Sequence, residues 1–348
     1  MAKKIWLKYA LLCIFLVFVI VGCKSTIKTN LNLENNMVTH FIDVGQGDCI
    51  LIQVNNKNLL IDSGTSDSKE TIIRYLKNNN ITKLDYVIAT HPHDDHIGGM
   101  SSIIKTFNVD EFYAPKATSS SQAFEDMIRA LKNKNLKIKV AKPNIALDLG
   151  PNTTCIMLSP NKTNYKDINN YSCAMKISYK NSTYLFTGDI EKLAEKELLD
   201  KGYDLKAQVL KVAHHGSDSS SSQEFLNKVS PKIAVISCGF NNSYGHPSKE
   251  TLDKFKKLNC IIYRTDLNKN IILINRPEIQ HKETDKNLFW YVTKNGEFNE
   301  CFQAYRKTWT NFLTFADEGN YTVTLVTDYD DTTGEYTPIS NTIEYTVE

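Results

Sequence analysis

From residue 37 the chain runs in short apolar stretches cut by Gly, Asn and Asp: "VTHFIDV", "CILIQV" and "NLLID". Stretches of that length bounded by turn residues predict strands, and three in succession predict a β-meander. The period then changes in "SDSKETIIRYLKNN", which places Ile72, Ile73 and Leu76 on one face of a helix. "LDYVIAT" predicts a strand, "SQAFEDMIRALKNK" a helix, "KIKVA" and "TTCIMLS" strands, and "CAMKISYKNSTYLFTGD" a hairpin turning at Lys180 and Asn181. "IEKLAEKELLDKG" reads as a helix closing at Gly202. Strand and helix then alternate through "AQVLKVAHHGSDSSSSQEFLNKVS", "KIAVISCGF", "HPSKETLDKFKKLN", "CIIYRT" and "NIILIN". A meander giving way to alternation predicts an α/β (α+β) chain in which helices face sheets.

The two ends differ from this body. Lys3, Lys4 and Lys8 precede an uncharged run, "YALLCIFLVFVIVG", which suits a signal sequence and is short for a membrane span. Its ending, "IVGC", resembles the bacterial lipobox. That resemblance implies a signal peptide over 1–22, lipidation of Cys23, and a place on the extracellular face of the cell membrane. The alternative is an uncleaved anchor helix extended by Ile5 and Trp6. Residues 23–36 are polar and read as a tether. Beyond about residue 278 the chain is rich in Tyr, Thr and Phe at period two, with turns at Asn295-Gly296 and Glu318-Gly319-Asn320. That pattern predicts a β-rich C-terminal domain over 278–348, a small sandwich-like appendage. It serves either as a spacer or in binding substrate or cell wall.

With 41% hydrophobic and 23% charged residues in 348, the chain has ordinary globular composition. Of its 41 basic residues three lie in 1–22, so the remainder carries 38 against 39 acidic ones. No global charge draws it to a polyanion. Beyond Cys23 the six cysteines, Cys49, Cys155, Cys173, Cys238, Cys260 and Cys301, form no C-x-x-C pair. Most sit in strand-like runs, which favours free buried thiols over a disulfide framework.

Six of the eight histidines fall in three clusters, "HPHDDH", "HHGS" and "YGHPS", each just past a strand-like run. Loops at one edge of the sheets could bring all three together. Imidazoles and carboxylates at this spacing are nitrogen and oxygen donors for a metal, and the lack of cysteine argues against a structural zinc site. A solvated cluster of histidines is the plain alternative. Asp189, closing the apolar run "YLFTGD", stands where a bridging ligand would be placed.

"HPHDDH" with the upstream "LLIDSG" and downstream "TGD" resembles the metallo-β-lactamase superfamily. More closely, "FIDVGQGDCILIQ", "HPHDDHIGGM", "LFTGDIE", "KVAHHGSDSS", "GHPS" and "YRTDLNKNIIL" resemble the extracellular hydrolase domain of ComEC-like competence proteins, over about 37 to 276. The resemblance implies an αββα sandwich over 37–277 with two metals at one edge. It implies His91 and His93 on one metal, Asp95 and His96 on the other, Asp189 bridging, His246 as last ligand of the second, and Asp62 behind a ligand. One departure stands out, since no histidine lies between 97 and 188. "HHGS" is the natural source to fill that gap. Either His214 or His215 would ligate and the other act as acid or hold a phosphate oxygen, so both are counted as catalytic candidates together with Asp95. Asn170 and Ser172 are further possible contacts.

Two divalent ions, zinc first and manganese open, would lower the pKa of a water between them and offset charge on an attacked centre. The resemblance implies phosphodiester substrates, DNA or a cell-surface phosphoester such as phosphorylcholine; amides and thioesters remain alternatives. Lys132, Lys134, Lys137, Lys139 and Lys142 could track a nucleic-acid backbone, though a solvated helix end and edge strand is the favoured explanation. From a different class comes an adhesion or scaffold module that keeps the fold without turnover. The absence of the ComEC membrane channel from these residues leaves a DNA-uptake role open.

Overall fold

The opening meander is β1 (Met37–Phe41), β2 (Ile50–Val54) and β3 (Lys57–Ile61), paired antiparallel in chain order. Asn55 and Asn56 join the last two with φ of 50° and 59°. A two-residue hairpin needs left-handed backbone at both positions, and Asn tolerates it. In this computed structural model the described residues are 36–275, 288–304, 314–315, 319–327, 330, 333, 337–338 and 343–347. The segment carrying Cys23 and the junction near 278 lie outside them. Among the described residues, no helix is long and apolar enough to cross a membrane.

After the meander the chain follows the alternation expected. Helix α1 (Lys69–Asn78) leads to β4 (Lys83–Ile88), α2 (Met100–Thr106) to β5 (Asn108–Ala114), and α3 (Gln122–Asn133) to β6 (Ile138–Val140). Strands β3 to β6 are parallel neighbours. The second half repeats the plan. Strands β7 (Thr153–Met157), β8 (Met175–Tyr179) and β9 (Ser182–Phe186) are antiparallel. Then α4 (Lys192–Asp200), β10 (Val209–Lys211), α5 (Gln223–Val229), β11 (Ile233–Ile236), α6 (Lys249–Lys257) and β12 (Ile261–Arg264) alternate, with β9 to β12 parallel. Strand β13 (Ile271–Asn275) returns to pair with β1.

Two sheets face each other. Between them lie Phe41, Ile50, Ile52, Ile61 and Ile88 on one side and Met157, Ile177, Tyr184, Phe186 and Val235 on the other. The alternate residues Leu51, Leu60 and Val87 point outward onto Ile72, Leu76, Met100 and Met127 of the first three helices. Leu185, Leu210 and Ile236 do the same against Leu198, Phe225 and Phe255. Strands covered on both faces read as continuous apolar runs, which is why all of "ILIQV" is buried. The order is therefore helix, sheet, sheet, helix. Cys49, Cys155, Cys173 and Cys238 are buried and unbridged within it.

In the tail, β14 (Leu288–Lys294), β15 (Glu297–Ala304), β17 (Gly319–Thr327), β18 (Thr337–Pro338) and β19 (Ile343–Val347) form one antiparallel sheet. The short β16 (Thr314–Phe315) instead pairs with β13 at the edge of the first large sheet. That pairing reaches across the boundary expected at 277/278.

Candidate metal centre

Strands β3, β4, β9, β10 and β11 end at one edge of the two sheets. Asp62 follows β3, "HPHDDH" follows β4, Asp189 follows β9, His214 and His215 follow β10, and the loop to His246 follows β11. Open sheets bind ligands beyond the carboxyl ends of their parallel strands. Asp189 is the hub here. Its Oδ2 lies 3.2 Å from His96 Nε2, 3.4 Å from His215 Nε2, and 3.9 Å from both His91 Nε2 and His214 Nε2. On the other side of His215, Nε2 is 3.2 Å from Asp95 Oδ2.

The backbone is bent to achieve this. Asp62, His214 and His215 have φ of 60°, 50° and 53°, a region where each non-glycine residue costs of order 1–3 kcal/mol and which clusters at functional sites. Gly188 (φ 52°) needs its missing side chain, since a Cβ would lie 3.0 Å from Ser172 and 3.1 Å from Thr90. Both neighbours serve the site. The hydroxyl oxygen of Ser172 accepts the Asp189 amide at 3.0 Å and lies 3.2 Å from His91 Nδ1. Thr90 donates to Asp62 through its amide (2.8 Å) and hydroxyl (2.7 Å), leaving Asp62 Oδ2 2.7 Å from His96 Nδ1. Asp62 therefore fixes the His96 ring with Nε2 aimed at Asp189.

A metal fits the donor set. His96 Nε2, His215 Nε2 and Asp189 Oδ1 are buried and have no hydrogen-bond partner. Two donors on one tetrahedral ion, each about 2.0–2.1 Å away, stand roughly 3.3 Å apart, close to the three shortest spacings above. Two groups, His91 with His96 and Asp189, and Asp95 with His96 and His215, hold ligand atoms within 4.8 Å of one another. A third, Asp48 with Asp62 and His96, has its carboxylates engaged by Lys211, Thr90 and His96. Burial alone would push the His96 and His215 imidazoles down, yet the carboxylates, Asp189 foremost, hold both well above the usual histidine range. The same pairing holds Asp95 and Asp189 below the carboxylate range against the effect of burial. Such a cluster demands positive charge between its carboxylates.

His215 stands beside Asp95, its Nε2 3.2 Å from Oδ2. The ring of His246 is 5.5 Å from that of His214 and 5.8 Å from Tyr244, on the wall of the cavity and outside the three donor groups. The two members of the histidine pair sit in different settings. His215 is buried, with Nδ1 donating to the Ser237 carbonyl at 2.9 Å, whereas His214 is 22% exposed and its Nδ1 is 3.1 Å from Ser219 Oγ. His93 sits with Nδ1 2.9 Å from His91 Nε2. Asn170 holds Glu191 through its side chain (3.1 Å), and Glu191 Oε1 is 3.9 Å from His214 Nδ1.

Sequence reasoning missed a buried chain behind His215. Lys211 Nζ pairs with Asp48 Oδ2 at 2.8 Å, and Asp48 Oδ1 is 3.5 Å from His215 Nδ1. The signal was a lysine inside the apolar strand "VLKV". Above the donors opens a cavity of about 570 Å³, lined among others by Asp95, Asp189, His93, His214, His215 and His246, with no Lys or Arg. The five lysines between 132 and 142 are exposed, and none lines it.

Residues 42–239 match the family described as Metallo-beta-lactamase superfamily. The chain is 31% identical over 248 residues to ComE operon protein 3 of Bacillus subtilis (strain 168), which covers 66% of this chain and 32% of that protein. To competence protein ComA of Neisseria gonorrhoeae it is 29% identical over 248 residues, covering 67% of this chain and 32% of that one. To exodeoxyribonuclease WalJ of Streptococcus pneumoniae serotype 2 it is 32% identical over 72 residues, 21% of this chain and 26% of the other. The chain thus spans about a third of the length of the curated relatives it matches.

Proposed function

This chain belongs to the metallo-beta-lactamase superfamily, and on that premise we propose that it is a metal-dependent phosphodiesterase held at the cell envelope by lipid on Cys23. The observation that carries the reading is the convergence of unpartnered, buried His96 Nε2, His215 Nε2 and Asp189 Oδ1 beneath an open cavity. A relative named as an exodeoxyribonuclease supports the phosphodiester as the bond attacked.

His91, His93 and Asp189 would hold one divalent ion and Asp95, His96, His215 and Asp189 the other. Imidazole with carboxylate suits zinc, with manganese also accommodated. Bound ions would supply an acidified water and offset charge on phosphorus. Asp62 keeps His96 in its orientation, and Asp48 with Lys211 does the same for His215. His214, partly exposed on the cavity wall, is placed to give a proton to the leaving oxygen. Ser219, at its other nitrogen, fixes the ring.

The test is metal content and turnover of the full chain purified in detergent. About two ions per chain, and hydrolysis of a small phosphodiester that is lost on chelation and restored by zinc or manganese, are expected. Metal-replete protein that turns over thioesters or lactams but no phosphodiester would sink the reading.

A further inference from the structure

The metal cavity is short of positive side chains for a substrate longer than one diester. A second cavity, of about 490 Å³, is lined by the neighbouring residues of the same loop. Thr118 lines the second cavity and Ser119 the first, and consecutive Cα atoms are only about 3.8 Å apart. Its walls are Lys116, Ala117 and Thr118 from the loop after β5, and Tyr165, Lys166, Ile168 and Tyr171 from the segment leading to Ser172. That segment is tied to the centre, since Ser172 touches both His91 and the Asp189 amide.

Its chemistry is the complement of the first. Lys116 and Lys166 are exposed, and among the described residues neither forms an ion pair, although Lys162, near Lys166 in sequence, pairs with Glu197. Tyr165 and Tyr171 meet edge to face with centroids 5.0 Å apart. They are held in place, Tyr165 Oη donating to Glu197 at 2.5 Å and Tyr171 Oη to the Thr163 carbonyl at 2.9 Å. Two uncommitted ammonium groups beside a fixed pair of rings match one phosphate and one base of a single strand.

We propose that this second cavity is a nucleotide subsite for the unit next to the scissile phosphodiester, occupied by single-stranded nucleic acid. The proposal rests on the phosphodiesterase reading for the first cavity, but binding can be measured apart from turnover. The full chain would be titrated with an end-labelled, hydrolysis-resistant phosphorothioate oligothymidylate, following anisotropy at several salt concentrations. Lys116→Ala/Lys166→Ala should weaken binding, and the slope of log affinity against log salt should fall by about 0.7, the value for one phosphate of a single strand. Lys132→Ala/Lys134→Ala, on the exposed lysine run, should leave both unchanged. Unaltered affinity in the first double variant overturns the subsite, and so does an equal loss in the second, which would show general surface charge. Displacement of the label by poly(glycerol phosphate) as readily as by unlabelled oligothymidylate would also overturn it, since a polyol chain has no base to stack. Strong oligonucleotide binding through Lys116 and Lys166 with no hydrolysis of any diester would instead sink the phosphodiesterase reading and leave the subsite standing.

Discussion

Lys211 and Asp48 form an ion pair of 2.8 Å at positions essentially closed to solvent. The ammonium reaches the Val212 carbonyl as well, at 3.0 Å. Burial would raise the Asp48 carboxyl, but Lys211, and after it His215, bring it down to about 2. The pair lies behind His215, so it fixes charge where that ring must present Nε2 to Asp95 and Asp189.

Removing one partner leaves the other charged and buried, which typically costs about 3–5 kcal/mol. Lys211→Met should therefore lose stability on that scale in urea unfolding. The joint Lys211→Met/Asp48→Asn variant should recover more than half of it while still binding less metal, because His215 has lost its anchor. A double variant no more stable than the single would assign the effect to packing of the lysine stem.

The two adjacent histidines should respond differently to replacement. His215→Ala removes a donor between Asp95 and Asp189, so elemental analysis should show loss of at least one ion. His214→Ala should keep the metal and lose roughly 10²- to 10⁴-fold in rate, with a smaller loss on diesters whose leaving group needs no proton. Equal metal loss in both variants would return His214 to the ligand set.

How much of this was readable beforehand follows from what is local. The meander, the hairpin at 180–181 and the helices announced themselves through apolar period and turn residues, Asp189 through its place at a strand end, and Asp62 only through the resemblance of "LLIDSG" to the superfamily. The different settings of His214 and His215 were not readable, because they depend on two successive left-handed residues whose rings stand 64° apart. His246 closes a loop whose path is held by Asn242, whose side chain bonds the His246 amide and carbonyl, and its place on the cavity wall has no local signal. Lys211 looked like an ordinary strand lysine because its partner lies 163 positions away in sequence. The docking of β16 on β13 is likewise a pairing of distant segments, with no local period to report it.

Away from the centre, His40 gives a pH dependence. It is buried between Tyr75 Oη (2.9 Å) and Gln53 Oε1 (3.1 Å), and burial, opposed by the Gln53 bond, lowers its pKa from 6.5 to about 4. Above pH 6.5 it is neutral folded and unfolded and contributes no slope. Between 6.5 and 4 the unfolded chain takes up the proton first, so stability falls with pH by up to about 3 kcal/mol and then levels off. His40→Gln should flatten that part of the curve. The comparison is made at equal metal loading, as the difference in unfolding free energy between pH 8 and pH 5. An unchanged difference would show that His40 does not titrate there.

The tail offers the last prediction. Strand β13 is buried at all five positions and lies between β1 and β16. A chain ending at residue 277 keeps both large sheets and every residue of the metal centre, so it should fold and bind metal. It loses Thr314 and Phe315, which pair with Leu273 and Ile272, and so bares the hydrogen-bonding edge of an apolar strand. Exposed edges of that kind pair with copies of themselves. The shortened chain should therefore carry its metal at low concentration but self-associate as concentration rises, seen as growth in mass by light scattering. Placing a lysine on that edge, as Ile272→Lys, should suppress the association if edge pairing is its cause. A shortened chain that stays monomeric without the lysine would mean that β16 protects nothing, and one that never binds metal would mean that the tail completes the domain.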